Sequence, residues 1–112
     1  MTLSEEKNGK VFVLGLGGKF DFEGAKVFGE RITQILQGGE RYILLDFADV
    51  TYISSAGLRG LVQAGKQLAG SGGMMVLAGV TEPVRKVFQI CSLDSFFTIR
   101  PTKEESLALF PM

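Results

Sequence analysis

Histidine is absent from this 112-residue chain, and cysteine occurs once. The missing histidine removes Ser-His-Asp and Cys-His triads, and it removes histidine metal sites. It also removes the commonest general base near neutral pH, which weighs against an enzyme. With Cys91 alone, no internal disulfide can form, and that suits a reducing cytoplasm. An excess of charge of one sign is missing too. Lys plus Arg and Asp plus Glu number 12 each, for a net charge of zero. The cations are scattered, with Arg85-Lys86 the densest spot. Nucleic-acid binders carry a clustered basic footprint, and anionic lipid attracts the same feature, so neither partner is expected. Apolar runs such as Met74-Met75-Val76-Leu77-Ala78 fall far short of the roughly 20 residues a membrane helix needs. The N-terminus, Met1-Thr2-Leu3-Ser4-Glu5-Glu6-Lys7, lacks the apolar stretch of a signal peptide. A cytoplasmic protein without membrane insertion is expected.

What is present is the material of a globular domain. Apolar residues make up 46% and charged residues 21%, enough for a core and a solvated surface. The length predicts one domain over residues 1–112. Lys10–Leu16 reads as a strand closed by a Gly17-Gly18 turn, and the polar segment before it as an edge strand. Asp21 is placed as the N-cap of a first helix. Phe22, Ala25, Phe28, Ile32 and Ile35 form its apolar stripe, and Gly38-Gly39 its end. Tyr42–Asp46 reads as a strand buried on both faces, with Phe47–Ile53 as a linker after it. A second helix opens at Ser54-Ser55, with Leu58, Leu61, Val62, Gly65, Leu68 and Ala69 as its apolar stripe. Met74–Ala78 reads as a strand, and Thr81-Glu82-Pro83 opens a third helix. Val84, Val87, Phe88 and Cys91 share one face of that helix, which makes Cys91 a buried structural thiol. Phe96–Arg100 reads as a last strand and Thr102–Leu109 as a last helix. Strands and helices alternate, which predicts an α/β sheet with largely parallel central strands.

Two glycine motifs invite a nucleotide reading and fail it. Gly15-Leu16-Gly17-Gly18-Lys19-Phe20 has Phe20 where a dinucleotide fingerprint needs its last glycine. Gly60-Leu61-Val62-Gln63-Ala64-Gly65-Lys66-Gln67 approximates a phosphate-binding loop, yet Gln67 stands where a magnesium ligand belongs and the segment lies in a helical stripe. Gly60 and Gly65 are instead expected to pack closely on the sheet. No cofactor and no metal site is expected. Asp46 ends a strand on the edge where α/β sheets usually carry function.

The segment Asp49-Val50-Thr51-Tyr52-Ile53-Ser54-Ser55-Ala56-Gly57-Leu58 carries the most chemistry. Ser54 serves as N-cap, and Ile53 staples onto Leu58. That arrangement leaves the Ser55 hydroxyl near the surface at the positive end of a helix, where an anion is stabilised. A phosphate there carries about −1.5 to −2 charge at pH 7. Arg59, one turn on, is within reach of it.

This segment resembles the STAS domain, specifically the bacterial anti-sigma factor antagonists. Gly18-Lys19-Phe20-Asp21 is similar to the family's motif before its first helix. Leu44 through Leu58 is similar to its strand, loop and phosphoacceptor turn. Val84 through Phe97 is similar to its third helix and the following segment. The resemblance implies a STAS-like α/β domain, with a mixed four- to five-stranded sheet and about four helices mainly on one face. It implies a regulator of sigma-factor-dependent transcription that captures an anti-sigma factor with serine-protein kinase activity. Phosphorylation by that partner switches capture off, and a cognate phosphatase restores it. By position the acceptor is Ser55, with Ser54 as the alternative. Asp21, Asp46, Ser54, Ala56, Gly57 and Arg59 are expected to flank the site or face the partner. Two departures stand out: Ser54 occupies the place of an acid, and Ala56 the place of a second hydroxyl. An alternative is a STAS-type scaffold or accessory subunit, for instance of a transport complex, that phosphorylation does not control. A small-molecule or nucleotide-binding module is a third reading, and a hydrolase the least favoured.

Overall fold

The computed structural model describes residues 1–111. The chain runs β1 (Thr2–Asn8), β2 (Val11–Phe20), α1 (Phe22–Gln37), β3 (Tyr42–Ile53), α2 (Ser55–Gly70), β4 (Met74–Ala78), α3 (Glu82–Ile90), β5 (Thr98–Arg100) and α4 (Lys103–Leu107). The five strands form one sheet in sequential order, with β1 antiparallel to β2 and every other neighbour parallel. Each parallel step needs a crossover, and α1, α2 and α3 supply them.

Alternation along the strands builds two cores. Leu14, Leu16, Ile43, Leu45 and Leu77 face α1, α2 and α3, which contribute Phe28, Ile32, Ile35, Leu58, Leu61, Leu68, Val84 and Phe88. Val11, Val13, Leu44 and Val76 face the other way, where the C-terminal segment covers them with Leu107 and Phe110. Three helices therefore share one face and the short α4 lies on the other, as the resemblance implied. The larger core is threaded by aromatic pairs. Phe20 packs on Phe28 at 5.2 Å and stacks on Phe47 at 6.0 Å, and Phe88 meets Phe97 at 5.1 Å.

Several elements differ from the sequence expectation. Gly17-Gly18 is no turn; β2 runs through it to Phe20. The glycines let β1 lie close, since a Cβ at Gly15 would stand 2.3 Å from Ser4 Oγ and one at Gly17 2.6 Å from Thr2 Oγ1. Register shifts between Gly15 and Gly17 and between Gly18 and Lys19 mark irregular pairing, a common use of strand glycines. Phe47–Ile53 is no linker either, because β3 continues across it. Phe47, Val50 and Ile53 all join the helix-side core at a spacing of three, so the two-residue period that betrays a strand is broken there.

The helix stripes are also partly corrected. Phe22 is 74% exposed. At 100° per residue it lies about 120° from the centre of Phe28, Ile32 and Ile35, off the buried arc. Ala69 is exposed, whereas Ala64 is buried. Gly60 packs against α1 and not the sheet, with its Cβ position 3.2 Å from the Ala25 methyl, while Gly65 lies against Met75 of β4 and Phe96. Cys91 is exposed, so it is not a core thiol. It caps the end of α3, one residue beyond the helical run that would have carried it inward. The last strand starts at Thr98, and α4 spans five residues.

Candidate functional site

Ile53 ends β3 and pairs with Phe20, which ends β2. The next residue in each case, Ser54 and Asp21, caps a helix. Asp21 Oδ1 accepts from Gly24 N at 2.9 Å, and Ser54 Oγ accepts from Gly57 N at 3.2 Å. Two helix N-termini thus start side by side at the carboxyl edge of adjacent parallel strands, the edge where open α/β sheets place ligands and partners.

The first turn of α2 is pressed onto the end of β2. Ser54 N donates to Phe20 O at 3.0 Å. A Cβ at Gly57 would lie 2.1 Å from that carbonyl oxygen and 2.8 Å from the Phe20 ring. Only glycine fits, and this close approach decides which serine is free. Ser54 is half-buried and its oxygen is committed to the cap, whereas Ser55 is exposed. The first turn holds no acidic residue, so nothing there competes with an anion for the positive end of the helix.

The other expected residues separate into two groups. Ala56 is half-buried, Gly57 is buried and Arg59 is exposed one turn after Ser55. Asp21 joins them through its strand end. Asp46 does not. It sits inside β3, in register with Gly15 and Ala78, and the strand ends at Ile53 opposite Phe20, five steps further along β2, or roughly 17 Å away. It accepts from Ala48 N at 3.0 Å and lines a hollow beside β1 with Asp49, Thr2 and Ser4. Its charge is felt by Lys103 at the start of α4. The continuation of β3 past Asp46 is what carries the acid away from the edge.

Two exposed aromatics at this edge escaped the sequence reading. Phe22 opens α1 directly after Asp21, and Tyr52 is 50% exposed beside Ile53. The helical wheel of α1 was the available signal for Phe22. Tyr52 had none, because its strand was not recognisable. Among the described residues no group of three or more acidic or cysteine side chains is placed to hold a metal ion, and no helix is long and apolar enough to cross a membrane. The two glycine motifs lie in β2 and inside α2.

The STAS domain model matches residues 3–106. BtrV of Bordetella bronchiseptica, described as a candidate anti-sigma factor antagonist, is 32% identical over 110 residues, covering 98% of this chain and 95% of that protein. The crystal structure of a candidate anti-sigma factor antagonist from Thermotoga maritima superposes with a TM-score of 0.89 at 26% identity, covering 95% of this chain and 92% of that one. Bacillus SpoIIAA in its phosphorylated form shares the fold with a TM-score of 0.74 at 22% identity, over 96% of this chain and 97% of that one. With its sheet order, its paired helix N-termini and a family match over nearly its whole length, the chain belongs to the STAS-domain family, among the anti-sigma factor antagonists.

Proposed function

We propose that this protein captures an anti-sigma factor with serine kinase activity in the cytoplasm, and that phosphorylation of Ser55 releases it. It acts by binding and not by catalysis, as one STAS-like unit over residues 1–112. The contact surface comprises the α2 N-terminus with Ser55, Ala56 and Arg59, and the neighbouring edge with Asp21, Phe22 and Tyr52. The observation that carries the reading is the division of labour between two adjacent serines. Ser54 Oγ is held in the cap by the Gly57 amide, and Ser55 is exposed one residue later. Of the two serines, a kinase therefore meets one with an uncommitted, exposed hydroxyl.

In the modification step the Ser55 oxygen attacks the γ-phosphorus of ATP. The bond from that phosphorus to the β–γ bridging oxygen breaks, ADP leaves, and the hydroxyl proton passes to a base of the kinase. The product phosphate sits at a helix N-terminus without an acid in the first turn, so it is locally tolerated. Its effect is felt in the interface, through bulk and like-charge repulsion against acidic groups of the partner. A phosphatase that hydrolyses the ester resets the switch.

Incubation with the candidate anti-sigma kinases of the same organism and ATP, followed by peptide mass spectrometry, tests this directly. Phosphate on Ser55, absent in Ser55→Ala and retained in Ser54→Ala, is the expected result. Stable capture without phosphate from any kinase would instead favour a scaffold or accessory subunit.

A further inference from the structure

The outward stripe of α2 does not stop at Ser55. Residues 55, 59, 62 and 66 recur at intervals of four, three and four, so they fall within about 60° of one another on the helix. This stripe runs into a groove of about 370 Å³ between α2 and the segment after α3. Leu58, Val62 and Leu93 supply its apolar walls, and Arg59, Gln63 and Lys66 its polar ones. Beyond it, the half-exposed Phe96 lies over Gly65, with its ring edge 3.5 Å from the Cβ position. No acidic side chain lines the groove. Arg59 and Lys66 enter none of the ion pairs among the described residues. The groove is therefore apolar at its walls and unneutralised in charge, and it is continuous with the serine.

We propose that this groove receives a segment of the anti-sigma partner in which an apolar side chain is flanked by Asp or Glu, and that Arg59 links it to Ser55. The proposal rests on the reading above and adds to it the partner's chemistry and the residue that transmits the switch. In the unmodified protein the Arg59 guanidinium faces the groove and pairs with the partner's carboxylate. A phosphate on Ser55, four residues earlier on the same stripe, competes for that guanidinium with about twice the charge. Phosphorylation then weakens docking by removing a cation from the groove as well as by adding an anion beside it.

The test has two arms. With an anti-sigma factor that the wild-type chain captures, Lys66→Glu and Arg59→Gln are each expected to weaken binding by about tenfold or more at an unchanged Tm, and Val62→Ser to do so with a modest fall in Tm, because Val62 also packs against the core. Arg59→Gln should also shrink the further loss caused by phosphate. Wild-type affinity in Val62→Ser and Lys66→Glu overturns the groove and leaves the reading above standing, whereas no capture by the wild-type chain removes both. The second arm uses the chain alone, carrying phosphoserine at position 55. Phosphorus NMR should show the second phosphate ionisation below its usual value of about 6, and Arg59→Gln should raise it part of the way back, the helix N-terminus keeping the rest of the shift. A titration that this substitution does not move overturns the link through Arg59.

Discussion

A single hydrogen bond separates the roles of Ser54 and Ser55. Ser54 accepts from Gly57 N and closes the first turn of α2. Replacing it by alanine is expected to lower stability by about 1 kcal/mol, the usual worth of an N-cap, while Ser55 stays open to phosphorylation. Urea denaturation with parallel phosphopeptide mapping checks both halves. Gly57 is the more sensitive position. Alanine there puts a methyl group 2.1 Å from the Phe20 carbonyl, and neither the helix start nor the strand end can yield without breaking the Ser54–Phe20 bond. A loss of about 2–3 kcal/mol is expected on overpacking grounds, well above the Ser54→Ala effect, and thermal melts of the two variants side by side would show the order. Cys91 illustrates the opposite case. It is exposed at the end of α3, so a thiol reagent should modify it in the native protein without denaturant, and Cys91→Ser should change stability by less than about 0.5 kcal/mol.

Among the elements, β1 is held by its ladder with β2, supplemented by charge. Only Leu3 is half-buried along Thr2–Asn8; the rest is exposed. Ion pairs fasten it on both faces of the sheet: Glu5 with Arg31 of α1, Lys7 with Glu40 before β3, and Glu6 with Lys103 of α4. The same charges discourage pairing of this edge with another chain. The hydrogen bond from Arg31 holds the Glu5 carboxyl below the usual carboxylate range, against a small opposing effect of burial. A depressed carboxyl contributes stability above its unfolded value and loses it as pH falls through the folded one. The hydrogen bond to Glu6 raises Lys103, and that contribution is complete below the ordinary lysine range and lost as pH rises through the raised value. Both pairs are solvent-accessible and screened by salt. The protection factors of the β1 amides, taken relative to intrinsic exchange at each pH, should therefore fall on acidification below the carboxylate range and in high salt, with those of β3 and β4 unchanged. Equal protection of β1 under all these conditions would show that its ladder alone suffices.

For the molecule as a whole, the proposed switch acts on a surface and not on the fold. The core that carries α1, α2 and α3 is continuous, and Phe47 lies at its middle, fully buried and in ring contact with both Phe20 and Phe88. Phe47→Ala is expected to remove about 3–5 kcal/mol by leaving a cavity between those rings. A charge at position 55 touches none of this. Ser55→Asp should leave the melting temperature within about 2 °C of wild type, because a surface substitution costs little and an anion suits the helix start. It should nonetheless abolish capture of the anti-sigma factor. Calorimetry and a binding assay on the same preparation separate the two effects; marked destabilisation by Ser55→Asp would contradict an interface mechanism.

Much of this was legible along the chain. Local signals are short-range in cause, so caps, stripes and glycine stops could be read where they stand: Asp21 and Ser54 as caps, Phe28, Ile32 and Ile35 as one face, Met74–Ala78 as a buried strand. The family motif around Ser55 was equally readable, since it lies in consecutive residues. The sequence determined the alternation of strands and helices, and with it the parallel sheet. It could not show that β3 runs on to Ile53, because irregular pairing with β2 breaks the period of two. For the same reason it misplaced Asp46 at the sheet edge. The reading of Ser54 as the cap and Ser55 as the exposed hydroxyl was local too. What it could not show is the contact of Gly57 with Phe20, 37 residues away in the chain and adjacent only once β2 and β3 are paired. Long-range packing decided that contact, as it left Tyr52 exposed and set Arg59 beside Leu93 in one groove.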